Sequence, residues 1–282
     1  MSLSHSLRTA FVFVTLMLSA MPSHGGNQPP FRVCADPDNL PFSNEAGEGF
    51  ENRIAAVIAK DLKKPLEYTY LRERKGFLRM TLNANRCDVV IGVPAGLERV
   101  LKTEPYYRSS YMIVTRKDRH LKLDAYDNAD WRSLKIGLHT IGDDGANSPP
   151  AHVLGHHQLG GNVVGFPMWG TEGAKDEQGR VVRDVADKKI DAAIVWGPFA
   201  GYFAKPYGRT LLVEPAPLDK ALPGQIMAWD IVMAVRKDDE ALKAKLNDSI
   251  QRQHKKIQHI LKEYNIPTES LPLKGKTPAE ER

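Results

Sequence analysis

The segment from residue 31 to residue 62 sets a pattern that the rest of the chain repeats. Phe31 to Ala35 is an apolar stretch that predicts a strand, and residues 36–43 form a polar loop rich in turn-forming residues. An amphipathic helix follows, because its apolar residues recur at spacings of three and four, as at Ile54, Val57, Ile58 and Leu62. Ligands of open α/β sheets gather beyond the carboxyl ends of strands, so the loop is a candidate binding rim.

The alternation of strands and helices continues through the first part of the chain. Residues 66–71 predict a strand, residues 77–83 a short helix, and residues 87–94 a compact apolar strand that leads into a second candidate rim loop. Such β-α-β units have right-handed crossovers and parallel strands. The aromatic-rich segment from Pro105 to Val114 predicts an extended strand that crosses to the next part of the chain.

After a charged connector that contains Trp131, the alternation begins again. In order, the pattern predicts a strand and turn (134–147), a helix opened by two prolines (149–159), a strand (161–169), a helix (181–190) and a strand that ends in a Gly-Pro turn (191–199). A further strand is predicted from Ile226 to Lys237 and a long helix from Asp239 to Tyr264. The apolar stripe of this helix is Leu242, Leu246, Ile250, Ile257 and Leu261. The polar tail after Pro267 is expected to be disordered.

Residues 1–25 have the pattern of a signal peptide. Arg8 precedes an apolar run from Ala10 to Met21, about 12 residues long, and small or turn-forming residues follow it. Such a run is shorter than the ~20 residues of a membrane helix and matches the ~7–15 of a signal-peptide core. Cleavage is expected after Ala20 or Gly25, and an uncleaved anchor is the alternative.

The composition of the chain is that of a globular protein. The 282 residues are 42% hydrophobic and 26% charged, which suits one large domain or two lobes. The net charge is +5, but charges of both signs are interspersed and no Lys/Arg block of the nucleic-acid-binding type occurs. We therefore expect no nucleic-acid partner.

The two cysteines, Cys34 and Cys87, each belong to a predicted strand. Export would place them in an oxidising compartment, where they can pair. If the two strands are neighbours in the sheet, a disulfide fits between them, and two free buried thiols are the alternative.

Five long blocks of this sequence resemble a known group of proteins. The order of the predicted strands and helices over residues 31–265 is similar to that of the type II periplasmic solute-binding proteins. The blocks themselves resemble the J-type proteins of quinoprotein methanol and alcohol dehydrogenase systems (the MxaJ, MoxJ and XoxJ type). They are RVCADPDNLPFSNEAGEGFENRIA, KGFLRMTLNANRCDVVIGVP, EPYYRSSYMIVTR, GLHTIGDDGANSPPAH and DAAIVWGPFAGYFAK.

The resemblance implies an α/β protein of two lobes, each with a mostly parallel sheet flanked by helices and joined to the other by two crossing segments. The implied division is a signal peptide (1–25), a first lobe (26–115 plus 229–265), a second lobe (116–228) and a flexible tail (266–282).

The resemblance also implies a function. It is that of a periplasmic accessory protein of a PQQ-dependent methanol or alcohol dehydrogenase, which helps the enzyme assemble or become active through protein–protein contact. The expected partner is the dehydrogenase or its cytochrome partner, and no cofactor or catalysis is expected. The alternatives are a transporter's receptor for a small solute or for PQQ, and an unrecognised enzyme. The sequence contains no nucleophile elbow, P-loop, CxxCH motif or dinucleotide fingerprint.

Two positions differ from the amino-acid-binding relatives in the groups that hold a ligand. Those relatives have an Arg before the PYY-like segment, and Arg99 in this chain stands closer to Pro105 than is usual, so its role in a cleft stays open. They also have an Asp at the end of the DAAIV-like strand, where this chain has Trp196. Because a buried ammonium needs a counter-charge, we expect no free amino acid as ligand. Trp196 is either a stacking wall or a plug.

The polar turn after residue 139 and the nearby histidines are weaker candidates. Asp143 and Asp144 cap the next helix or contact a cation or a basic partner surface, and their spacing is not that of a calcium-binding EF-hand loop. His152 and His156 stand four residues apart, with His157 beside them, but no HExxH motif is present. We interpret them as surface histidines and expect no metal site.

The predicted site residues form the walls of a cleft between the lobes, where they would contact a ligand or partner. They are Asp36, Asn39, Pro41, Phe42, Phe50, Glu51, Arg74, Gly76, Pro94, Arg99, Tyr107, Thr140, Gly142, Asp143, Asp144, Trp196 and Gly197.

Overall fold

The structure is a computed structural model that describes residues 28–140, 148–169 and 176–271. The strands in these ranges are β1 (Phe31–Ala35), β2 (Asp38–Asn39), β3 (Ser43–Asn44), β4 (Leu66–Tyr70), β5 (Val89–Pro94), β6 (Leu101–Lys102), β7 (Tyr107–Arg116), β8 (Ile136–Thr140), β9 (Val163–Pro167), β10 (Ala192–Trp196), β11 (Leu211–Pro215) and β12 (Ala228–Val235). The α-helices are α1 (Phe50–Asp61), α2 (Phe77–Met80), α3 (Pro149–His156), α4 (Arg180–Ala186), α5 (Gly197–Ala204) and α6 (Glu240–Glu263).

The main sheet has two halves, each built around parallel strands. Its order is β4-β1-β5-β12-β7-β10-β8-β9, with β6 paired to β12 and β11 paired to β7. In the first half β1 is parallel to both β4 and β5, and in the second β8 is parallel to both β9 and β10. Next to these parallel strands, β12 is antiparallel to β5 in the first half and β7 is antiparallel to β10 in the second. The two halves meet where β12 pairs with β7. This is the predicted arrangement of two α/β lobes joined by two crossing strands.

The two crossing strands pair with each other only over a short stretch. Residues 107–110 of β7 pair with residues 228–231 of β12, and each strand then diverges into its own half of the sheet. Within this stretch Arg108 lies opposite Asp230, and the Nη1 of Arg108 donates to Oδ1 of Asp230 at 2.7 Å. The pairing is therefore reinforced by an ion pair that is largely shielded from solvent.

The chain beyond α6 adds a third link at the same place. The Ser109 hydroxyl donates to the carbonyl oxygen of Pro267 at 2.6 Å, and the Glu269 amide donates to the carbonyl oxygen of Arg108 at 2.9 Å. Residues 266–271, which begin the predicted tail, thus lie along β7.

Each half has its own hydrophobic core. In the first, α1 packs against α6. Of the stripe predicted on α6, Leu246, Ile250, Ile257 and Leu261 are buried and Leu242 is half-buried. Asp239 caps α6 by accepting a hydrogen bond from the amide of Leu242. In the second half Trp131 is fully buried, and its indole N–H donates to the carbonyl oxygen of Ala125 at 2.8 Å.

The disulfide between Cys34 and Cys87 is present, with the two Cα atoms 5.5 Å apart. It forms because β1 and β5 are neighbours: Cys34 of β1 lies opposite Val90, and Cys87 stands just before β5. The alternative of two free thiols is wrong.

Two local predictions are wrong. Gly197 and Pro198 do not form a turn after β10 but open α5, since proline is compatible with the first turn of a helix. The helix predicted over residues 77–83 ends at Met80, because Thr81 leaves the helical region of backbone conformation. In the described residues, no helix has both the length and the hydropathy needed to cross a bilayer.

Candidate functional site

A cavity of about 490 Å³ lies where the two halves of the sheet face each other. Both halves and both crossing strands contribute to its walls. The lining residues are Asn39, Phe42, Glu51, Glu73, Arg74, Ile91, Gly92, Pro94, Tyr111, Pro149, Met168, Trp169, Trp196, Phe199, Trp229 and Ile231.

Three aromatic side chains form a continuous wall of the cavity. Trp196 ends β10, Tyr111 lies on β7 and Trp229 lies on β12. Their ring centroids are 5.6 to 6.0 Å apart, and each pair meets edge to face. Such pairs add about 0.5–1.5 kcal/mol beyond the area they bury. Trp196 is therefore a fixed part of the wall, held by aromatic residues from both crossing strands.

A second aromatic contact spans the cavity. The ring of Phe42, on the loop after β1, meets the ring of Phe199, on α5, edge to face with centroids 5.1 Å apart. Phe50, at the start of α1, packs behind Phe42 with centroids 5.3 Å apart. The loop predicted as a rim thus contacts the opposite half of the molecule directly.

Arg74 makes another contact across the cavity. Its guanidinium lies 4.5 Å from the ring centroid of Trp169, which is a cation–π distance. The loop that carries Arg74 is held by Asp36, whose Oδ2 accepts a hydrogen bond from the amide of Glu73 at 2.6 Å. The other carboxylate oxygen of Asp36 accepts from the amide of Asp38. Asp36 therefore organises the rim and does not line the cavity itself.

Two carboxyl groups face the cavity, and the protein around them disfavours their charge. Burial, followed by the charge of Glu73, raises the pKa of Glu51 well above its usual range. Burial and the charge of Asp36 raise the pKa of Glu73 to about 7, and the charge of Arg74 acts to lower it. The side chain of Glu73 is nevertheless open to the cavity. Glu51 lies directly against Gly92, where a Cβ atom would overlap its carboxyl group.

A polar link joins the halves beside the aromatic contacts. The Nε2 of His139 donates to the carbonyl oxygen of Gln178 at 2.8 Å, and the side-chain Nε2 of Gln178 donates to the carbonyl oxygen of Asp38 at 2.8 Å. Burial lowers the pKa of His139 to about 4, so its ring is neutral at physiological pH. That ring also packs edge to face on Phe199.

The predicted site residues fall into four groups. Asn39, Phe42, Glu51, Arg74, Pro94 and Trp196 line the cavity. Asp36, Pro41, Phe50, Tyr107 and Gly197 are buried without lining it. Three more residues fall outside the lining, namely Arg99, Gly76 and Thr140. Arg99 is exposed, and Gly76 caps α2 with a φ of 91°. Thr140 is also exposed, and its hydroxyl donates a hydrogen bond to the carbonyl oxygen of Phe166. Gly142, Asp143 and Asp144 lie outside the described residues.

Sequence reasoning missed ten lining residues. Trp169 stands just beyond the end of β9, Pro149 opens α3, and Tyr111 and Trp229 lie on the crossing strands. Aromatic residues near strand ends are a usable signal, but the pairing of β7 with β12 decides which of them face the cavity. The remaining missed residues are Glu73, Ile91, Gly92, Met168, Phe199 and Ile231.

A second groove, of about 590 Å³, lies between the end of α6 and the second half of the molecule. Its lining includes the Gln258 to Thr268 region and Lys262, without the convergence of aromatic and acidic groups seen in the first cavity. We therefore take the cavity between the halves as the candidate site. Among the described residues, its lining offers aromatic faces for stacking, one guanidinium group and two carboxyl groups, all of which can bind a ligand or partner.

Comparison with known proteins finds similarity over most of the chain. The family model of the bacterial extracellular solute-binding proteins, family 3, matches residues 31–266. Protein MoxJ of Methylorubrum extorquens strain AM1 is 31% identical over 244 residues, covering 84% of this chain and 80% of that protein. Protein MoxJ of Paracoccus denitrificans is 30% identical over 250 residues, covering 84% and 88%. The crystal structure of the periplasmic binding protein XoxJ from Methylobacterium extorquens AM1 is 33% identical, with a TM-score of 0.70 over 86% of this chain and 100% of that one.

Proposed function

The chain belongs to family 3 of the bacterial extracellular solute-binding proteins and is of the MoxJ/XoxJ type, and from this premise we propose its function. It is a periplasmic accessory protein of a PQQ-dependent methanol or alcohol dehydrogenase system. It assists assembly or activation of the dehydrogenase by binding it, and it performs no catalysis of its own.

This proposal rests on one observation, the presence of a tryptophan at position 196 of the cavity wall. Trp196 ends the strand where amino-acid-binding relatives need a carboxylate for the ligand's ammonium group. In this chain the position is an indole held between Tyr111 and Trp229. A buried ammonium without a counter-charge costs several kcal/mol, so this wall does not suit a free amino acid. An aromatic wall suits apolar and aromatic side chains of a protein segment.

The contacts across the cavity support a partner that binds at its rim. Phe42 and Phe199 touch, Arg74 stacks on Trp169, and Gln178 reaches the backbone of Asp38. These contacts hold the two halves together. A segment of the dehydrogenase would bind against the exposed faces of these aromatic groups or replace one of the contacts.

Deletion of the gene in its host, followed by complementation, tests the function. We expect the deletion strain to contain less active methanol dehydrogenase at unchanged polypeptide level. The original gene should restore activity and the Trp196→Ala gene should not. A gene carrying Met80→Ala, at an exposed position away from the cavity, is the matched control and should restore activity. Normal dehydrogenase activity in the deletion strain would contradict the proposal.

One observation favours a second function, that of a transport receptor for a small solute. The cavity volume of about 490 Å³ lies within the range of ~300–1,000 Å³ found for small-molecule sites. A thermal-shift screen tests it, because a solute at 100 times its Kd stabilises the protein by about 2.7 kcal/mol.

A further inference from the structure

Three potential metal ligands converge outside the cavity, in the second half of the molecule. They are His156, His157 and Asp219, and one ligand atom of each lies within 4.8 Å of the other two. The Nε2 of His157 is 2.9 Å from Oδ2 of Asp219. This cluster differs from the pair that the sequence spacing suggested, because it contains His156 but not His152.

The local fold explains why these three side chains meet. His156 is the last residue of α3 and His157 is its C-cap, and their rings are 5.3 Å apart and nearly perpendicular. Asp219 comes from the loop between β11 and β12, 62 residues further along the chain. Its Oδ1 accepts a hydrogen bond from the amide of Ala221, which leaves Oδ2 directed at His157.

The surroundings of the cluster favour a cation. The C-terminal end of a helix carries a partial negative charge, and both histidines stand at the end of α3. Tyr126 stacks on the ring of His157 with centroids 5.7 Å apart. The Tyr126 hydroxyl is buried and has no hydrogen-bond partner in the part of the chain that the structure describes.

We propose that His156, His157 and Asp219 form a binding site for a divalent metal ion of the zinc type. Two imidazoles and one carboxylate are donors that suit Zn²⁺ and do not suit Ca²⁺ or Mg²⁺, which require more oxygen ligands. Zinc lies about 2.0–2.2 Å from such ligands, so the ligand atoms must come to about 3.4 Å from one another. Rotation of the exposed His156 side chain closes this distance, and water completes the fourth position.

The metal would connect two segments that both reach the cavity. The helix α3 begins at Pro149, which lines the cavity, and ends at the proposed metal ligands. The loop that carries Asp219 leads into β12 and Trp229, which forms part of the aromatic wall. The bound metal would therefore fix the ends of two elements that shape the second half of the cavity.

A hydrogen bond between His157 and Asp219 is the simpler interpretation of part of the cluster. It accounts for two of the three residues and gives His156 no role. The two interpretations differ in what replacement of His156 does, because this exposed residue contributes only to the metal site.

Isothermal titration calorimetry of the full chain with ZnCl₂ tests the proposal, using protein without a polyhistidine tag and stripped of metal with EDTA. We expect one Zn²⁺ per chain with a Kd in the micromolar range or tighter, and Ca²⁺ should not compete. His156→Ala should weaken this binding at least tenfold while leaving the far-ultraviolet circular dichroism spectrum unchanged. Asp219→Asn should do the same. His152→Ala, on the same helix and exposed, should bind as the original protein does.

Binding of Co²⁺ provides a second, spectroscopic measurement that is independent of calorimetry. Co²⁺ bound at this site should give visible absorption of a four-coordinate complex, and His156→Ala should abolish it. The absence of saturable zinc binding would overturn the proposal. Equal binding by His156→Ala and the original protein would also overturn it, since the site would then lie elsewhere.

Discussion

The ring of Phe42 meets the ring of Phe199 edge to face across the cavity, with centroids 5.1 Å apart. Phe42 belongs to the loop after the first strand, and Phe199 belongs to a helix of the second half of the sheet. This contact joins the two halves in addition to the pairing of the crossing strands. Together with the pairing of Arg74 and Trp169, it holds the cavity in the form seen here.

Replacement of Phe42 by alanine should loosen this closure. The half-buried ring contacts both Phe50 and Phe199, so we expect Phe42→Ala to lower the free energy of unfolding by about 2 kcal/mol. Small-angle X-ray scattering should show a larger radius of gyration for this variant. Met80→Ala, at an exposed position, should change neither quantity. A Phe42→Ala protein as compact and stable as the original would show that the contact does not hold the halves together.

Gly92 should not tolerate a side chain. Its φ is 83°, and a Cβ atom there would overlap the carboxyl group of Glu51. The backbone conformation alone should cost Gly92→Ala about 1–2 kcal/mol, and displacement of Glu51 adds to this. Gly96→Ala is the matched control, since a Cβ there meets open space, and it should change stability by less than about 0.5 kcal/mol. Urea denaturation of the two variants measures the difference, and equal midpoints would contradict the account of Gly92.

Loss of the disulfide should destabilise the first half of the molecule. Cys34 and Cys87 are 53 residues apart in sequence, and in the chain-entropy model a cross-link over such a loop contributes about 4 kcal/mol. The double variant Cys34→Ser, Cys87→Ser should therefore unfold at lower urea concentration than the oxidised protein. The original protein treated with dithiothreitol is the control and should match the double variant. If reduction left the midpoint unchanged, the disulfide would not contribute to stability.

His139 should make stability fall in acid. Its pKa is about 4 in the folded protein because of burial and about 6.5 in the unfolded chain, so between these values the unfolded state binds more protons. Its contribution is thus fully present above about pH 6.5 and is lost as the pH falls towards 4. The contribution of His139 to the free energy of unfolding is about 3 kcal/mol in total, since each unit of pKa shift is equivalent to about 1.4 kcal/mol.

The measurement compares unfolding free energies of the original protein and His139→Gln from pH 7.5 to pH 4.5. The glutamine keeps a donor for the Gln178 carbonyl oxygen and does not titrate, so the difference between the two curves should shrink as the pH falls. Glu73 acts in the opposite sense, because its pKa is raised to about 7 and its contribution is lost as the pH rises, but it is common to both proteins. His152→Gln, at an exposed position, should follow the original curve. Parallel curves for the original protein and His139→Gln would contradict the assignment.

The periodicity of apolar residues was sufficient to predict most of the sheet and the long helices. The stripe on α6, the β-α-β order of each half and the crossing segment at residues 105–114 all follow from local patterns, and the structure confirms them. The apolar helix α5 escaped prediction because its residues are apolar on nearly every side and show no amphipathic period.

The candidate site was harder to predict because it depends on long-range pairing. The rim residues Phe42 and Arg74 were identified from local turn chemistry and line the cavity. Tyr111 and Trp229 face the cavity because of the register in which β7 and β12 pair. Local sequence patterns do not predict that register, since the two strands are far apart in the chain. The convergence of His157 with Asp219 has the same origin, since 62 residues separate them.

The central claim is that this protein binds a methanol dehydrogenase through its aromatic cavity. The most direct test is the affinity of the purified protein for the dehydrogenase of the same organism, in PQQ-loaded and PQQ-free forms, measured by biolayer interferometry. We predict a Kd of about 1 µM or tighter for at least one form, or about −8 kcal/mol. Trp169→Ala and Trp196→Ala, each checked for a native thermal transition, should weaken it at least tenfold, and Met80→Ala should not. The absence of binding to both forms, or equal binding by both tryptophan variants and the original protein, would contradict the claim.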